Sequence, residues 1–169
     1  METTSRMLKR TEPAKKISRP QAPVAEVKEA KAEPAKDTGV GGSSLDNMVS
    51  SCATELMNAA TSFHKLHLKV TGEGSYAAHK ALNELYDALP GHADVLAEGY
   101  QGAAEKILTY KEVSCRTLDD ISDALNYLRD MHSSITKLQG MLPYSEIVNN
   151  LDLVKDVINS TKYKLLFLK

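Results

Sequence analysis

The sequence predicts an all-α protein, one four-helix bundle preceded by a disordered N-terminal tail. Apolar residues recur at three- and four-residue intervals from Val49 towards the C-terminus, the repeat of helices that bury one face. Glycine and proline punctuate that repeat into four stretches. Residues 1–44 hold four of the six prolines and few large apolar side chains, too little to offset the entropy of ordering. The expected division is therefore a tail over 1–44 and a bundle over 45–169.

The first helix is expected over about 46–70, with Val49, Ala53, Leu56, Ala60 and Phe63 on its inner face. Thr71-Gly72-Glu73-Gly74-Ser75 is turn chemistry. The second helix carries Leu82, Leu85 or Tyr86, Leu89, Ala93, Leu96, Tyr100, Ala104 and Ile107, and Pro90-Gly91 predicts a kink or break within it. Thr117 is the expected N-cap of a third helix over 118–139, with Asp119 and Asp120 in its first turn. Gly140 and Pro143 close that helix, and Ile147, Leu151, Val154, Ile158, Leu165 and Leu168 define a fourth. All connections are expected to be short.

Composition narrows the function. Cys52 and Cys115 are too few and too far apart for a disulfide framework or a thiolate metal site. No apolar run approaches the roughly 18 residues of a membrane span, and the N-terminus lacks a signal-peptide core, so no membrane association and a cytoplasmic location are expected. The tail carries nine Lys and Arg against six Asp and Glu, net +3, which leaves the remainder at −4. Arg6, Lys9, Arg10, Lys15, Lys16 and Arg19 are its densest positive charge, of the kind that follows nucleic-acid phosphates and equally of the kind found in solvated linkers.

One pattern carries chemistry. At about 100° per residue, His79, Asn83, Asp87, Asp94 and Glu98 share a single arc of the second helix, turned away from its apolar face. His79 and Asp94 lie roughly 22 Å apart along that helix, so the two ends cannot hold one ion within one subunit. If two copies of the helix cross antiparallel near residues 88 and 89, the 79/83 end of each meets the 94/98 end of the other, giving two equivalent sites of imidazoles and carboxylates. His67, before the turn, is placed to join. The ordinary readings stand beside this one: acids on a helix face are commonly just solvated, and His67 lies in line with Ala60 and Phe63 as a core histidine would. His64, His92 and His132 are weaker candidates, His132 being assigned to the core stripe of the third helix.

The segment His67-Leu-Lys-Val-Thr-Gly72, followed by His79, Asn83 and Asp94-Val-Leu-Ala-Glu98, resembles the Dps family of miniature ferritins. The family pattern is H-x11-H-x3-D-x10-D-x3-E; all four spacings agree and four of the five identities match, with Asn83 standing where the family has Asp. The resemblance implies a ferritin-like four-helix bundle assembled as a dodecamer. It implies sites at two-fold interfaces that oxidise Fe(II) with hydrogen peroxide or oxygen, and storage of the ferric product. His67, His79 and position 83 would come from one subunit and Asp94 and Glu98 from its neighbour, with DNA held by the tail. Asn83 removes one anionic ligand, which Asp87, one turn on, is positioned to replace. No E-x-x-H pair occurs, against the ferritin arrangement with both irons inside the bundle. The competing expectations are a non-enzymatic bundle used for assembly, for example as a phage component found in the virion, with the tail as anchor, and nucleoid condensation by the tail alone.

Overall fold

The computed structural model describes residues 44–168, which form four helices and, among the described residues, no strand. These are α1 (Ser44–His67), α2 (Ser75–Ala104), α3 (Ile121–Gln139) and α4 (Ser145–Phe167). No helix among them is long and apolar enough to cross a membrane. The expected tail, with its six cationic candidates, lies outside the described residues except for Ser44, which opens α1 instead.

Contacts at opposite ends fix the helix directions. α1 and α2 are joined by a tight turn whose Gly72 and Gly74 sit at φ 86 and 75, where a side chain would be strained. Phe63 near the end of α1 stacks on Tyr127 near the start of α3, centroids 5.3 Å apart, while Met48 and Leu138 line one groove at the opposite end. α1 and α3 are therefore antiparallel. Glu84 pairs with Lys164, and Tyr100 meets Tyr144 with rings 6.0 Å apart, so α2 and α4 are antiparallel as well. The order is up, down, down, up, which requires one long crossover between α2 and α3. Leu56, Phe63, Leu85, Leu89, Leu128 and Ile158 are among the side chains fully enclosed between the helices.

That crossover is residues 105–120, an extended strap rather than the short connection expected. Sixteen extended residues reach roughly 50 Å, ample to cover the roughly 36 Å of α1. Side chains pin the strap along its course. Lys106 Nζ lies 2.6 Å from Asp46, and the Leu108 N–H donates to Gln101 Oε1 at 2.9 Å. Asn58 donates to the Val113 carbonyl at 2.8 Å. Arg116 lies over the Tyr127 ring, 4.1 Å from its centroid, and donates to Asp130 at 2.9 Å. Lys69 donates to the Leu118 carbonyl at 2.6 Å.

Several expected boundaries move. α1 stops at His67 rather than near 70, because the Lys69 and Val70 amides both turn back to the Leu66 carbonyl ahead of the two glycines. α2 runs unbroken through Pro90: the ring faces solvent, and buried Leu85, Leu89, Ala93 and Leu96 hold the helix on both sides of the missing bond. α2 ends at Ala104 and is capped by Glu105, left-handed at φ 51, so Ile107 falls outside the helix and is 85% exposed, while Leu108 takes the buried place. Asp120, not Thr117, caps α3, accepting from the Asp123 amide at 2.9 Å. Leu118 is buried from the strap, not from the helix, and Leu168 lies beyond α4, largely exposed.

Two buried polar groups give opposite predictions. The Tyr100 hydroxyl donates to the Asp46 carboxylate at 2.7 Å, both groups buried. Tyr100→Phe leaves that carboxylate short of a donor, and urea denaturation is expected to show a loss of about 1.5–3 kcal/mol. The Ser62 hydroxyl is buried and has no hydrogen-bond partner among the described residues. Ser62→Ala removes an unsatisfied group and improves helix propensity, so the same measurement is expected to show a gain of about 1 kcal/mol; a loss would mean that the hydroxyl is satisfied after all.

Candidate metal centre

The turn at 68–74 folds the last residue of α1 against the first turns of α2, and so brings His67 beside His79. Their rings stack with centroids 3.6 Å apart and planes 26° from parallel. The bonds are reciprocal: His67 Nδ1 lies 2.9 Å from the His79 carbonyl, and His79 Nδ1 lies 3.3 Å from the His67 carbonyl. A carbonyl only accepts, so Nδ1 of each ring is the donor, and in the neutral imidazole that leaves the lone pair on Nε2. Among the described residues no group bonds either Nε2. His67 is buried, as a core histidine would be, but its ring is spent on polar and aromatic neighbours; His79 is exposed.

Further along the same face, Asn83 is engaged twice. Its amide donates to Asp87 Oδ2 at 2.6 Å, and its carbonyl accepts from the Tyr86 hydroxyl at 3.1 Å. Tyr86 in turn stacks on His64 at 4.1 Å and meets His67 edge-on at 5.2 Å. His64, His67, His79 and Tyr86 thus form one continuous group of rings across α1 and α2. Tyr86 was legible only as one of two choices for the apolar stripe. The signal that could have found it is its spacing, three residues beyond Asn83 and seven beyond His79 on the ligand face. His64, three residues before His67, shares that face of α1 by the same rule.

Asp94 and Glu98 are exposed on the far side of Pro90. One chain therefore brings His67 and His79 together, with Asn83 and Asp87 on the adjoining turns of the same helix. Among the described residues no three His, Cys, Asp or Glu side chains of one chain converge on a metal position.

The remaining titratable groups stand apart. Burial, followed by the charge of Glu55, pushes the Cys52 thiol up to about 12, which leaves it without thiolate chemistry near neutral pH. Burial lowers His92. His132, expected in the core, is part-exposed and lowered by partial burial and then by Lys162 and Lys155.

A family profile described as a family of unknown function (DUF5856) matches residues 67–165, more than half of the chain. The chain belongs to that family. The DUF5856 segment opens at His67 and takes in the turn, α2, the strap, α3 and nearly all of α4. It thus holds every candidate ligand of the stripe. None of the curated proteins matches the chain.

The Asn83–Asp87 bond yields a prediction. Asn83→Asp puts two carboxylates where a donor and an acceptor now meet, one turn apart on an exposed helix face. A thermal melt at low ionic strength is expected to show a loss of about 0.3–0.5 kcal/mol that shrinks in high salt. An unchanged or higher melting temperature would mean that the amide bond contributes nothing.

Proposed function

We propose that this DUF5856 protein is a Dps-like iron handler, a homo-oligomer that oxidises Fe(II) at sites shared between subunits and stores the ferric product. The observation that carries the reading is the reciprocal histidine pair. Metal-binding histidines usually fix their tautomer by donating the non-ligating N–H to a carbonyl or carboxylate. Here both rings do so, each through the main chain of the other's helix. Supporting it are the single long crossover, a connectivity of ferritin-like folds, the exposure of the ligand face, and the continuity of α2, which carries both ends of the stripe on one helix.

In this reading His67 and His79 offer neutral nitrogen donors to Fe(II), and Asp94 and Glu98 of the neighbouring copy supply the negative charge that a ferric product needs. Each ferrous ion gives up one electron. Two such electrons break the O–O bond of one hydrogen peroxide to leave two hydroxides. Asn83 contributes no charge, and its amide is already committed to Asp87 and Tyr86. That same commitment favours a second reading, an assembly protein that keeps the bundle without iron chemistry, with the tail, on nucleic acid or a larger particle, supplying the function.

The experiment is anaerobic loading with Fe(II), addition of peroxide, and measurement of ferric absorbance. Wild type is expected to oxidise at least about tenfold faster than His79→Ala or Glu98→Ala. Co-expression of those two variants is the sharper arm. A mixed pair of chains rebuilds one intact site from the His79 of one copy and the Glu98 of the other, so part of the rate returns. Background oxidation by all proteins supports the assembly reading, and loss in the single variants without complementation excludes sites shared between copies.

A further inference from the structure

A second feature of the α1–α2 face adjoins the histidine pair. An open pocket of about 360 Å3 lies there, lined by Ala60, Thr61, His64, Tyr86, Asp87 and Pro90. Neither His67 nor His79 lines it. Pro90 has no amide hydrogen, so the helical bond that residue 90 would donate to the Tyr86 carbonyl is missing. A helical carbonyl runs along the axis towards residue i+4, and both Tyr86 and Pro90 line the pocket. Beside it, Asp87 takes the Asn83 amide on Oδ2 only, and its second oxygen has no protein partner among the described residues. His64 is held by stacking on Tyr86, and among the described residues neither of its ring nitrogens is hydrogen-bonded. The Thr61 hydroxyl completes the lining.

We infer that this pocket binds a divalent cation of the Mn(II) or Fe(II) class, held by the Asp87 carboxylate, the Tyr86 main-chain carbonyl and the His64 imidazole, with Thr61 at its edge. Every group is an acceptor, and one is an anion. A mainly oxygen set with one imidazole suits a hard to borderline ion rather than a soft one. The ion would bridge α1 to α2 where Pro90 has removed a helical bond, so it binds the folded chain and stabilises it. The site needs only one copy, and it stands whether or not the neighbouring histidines handle iron.

Mn(II) is the probe, followed by the electron paramagnetic resonance of the free ion as the full-length protein is titrated, with melting temperature as a second readout. Wild type is expected to take up one Mn(II) per chain at this site and to melt at a higher temperature when loaded. Asp87→Asn, which keeps an acceptor for Asn83, and His64→Ala are each expected to weaken binding by at least about tenfold. Pro90→Ala restores the missing amide, engages the Tyr86 carbonyl and should weaken Mn(II) binding while raising the melting temperature of the metal-free protein. The paired variant His67→Ala, His79→Ala is expected to keep this affinity, which separates the pocket from the iron reading. Wild-type affinity in Asp87→Asn or Pro90→Ala, loss of binding in the histidine-pair variant, or no uptake by wild type would each overturn the inference.

Discussion

The constraint on which the bundle depends is direction. α2 and α3 run the same way, so the chain leaving α2 must travel the full length of the molecule before α3 can begin. The strap does this over α1, and it cannot pair its own backbone into a ladder there. It is held by side chains reaching from α1 and the turn after it, Asn58 and Lys69 to its carbonyls and Asp46 to its lysine. Arg116 works in the other direction, from strap to Tyr127 and Asp130. The route of the strap leaves a shared face of α1 and α2 open to solvent, and His64, His79, Asp87, Asp94 and Glu98 lie exposed on it, with buried His67 at its turn end.

That face combines two kinds of order. At the turn, main-chain carbonyls orient imidazoles, so the histidine geometry follows from how tightly α1 hands over to α2. Along α2, side chains orient one another: Tyr86 fixes the Asn83 amide and Asn83 fixes one oxygen of Asp87. The first arrangement belongs to the fold and would persist through many surface substitutions. The second is a chain of exposed contacts, each worth little in water, and changes at single residues would retune it.

How much of this could be read from residues alone follows from the same distinction. Positions buried at helical spacing, such as Leu56, Leu89, Leu128 and Ile158, announced themselves because only a packed face keeps that period. The strap did not, since an extended segment pinned by side chains has no period, and Ile107 happened to continue the apolar rhythm of α2 past its end. Thr117 and Asp120 are both good caps, and the choice was made by Leu118, which packs into the core from outside the helix. Pro90 looked like an end, yet one missing bond on a solvent face is a small loss beside the packing on either side. The neighbourhood of His67 and His79 was legible because a short turn leaves few alternatives. The interlocking of Asn83 with Tyr86 and Asp87 depends on rotamers, which spacing does not encode.

The strap also makes the molecule divisible. α1 with α2, and α3 with α4, are each joined by a short turn and each form an antiparallel hairpin from neighbouring sequence. Only residues 105–120 tie the hairpins together covalently, and Ile107, Tyr110 and Val113 stand exposed along them. A cut there would separate no helix from its hairpin partner, and the two fragments would still carry complementary apolar faces. Two copies could likewise exchange their second hairpins through the same segment without changing any helix-to-helix contact. Modularity of that kind is the unforced result of a crossover that spans the bundle and enters its core only through Leu108 and Leu118.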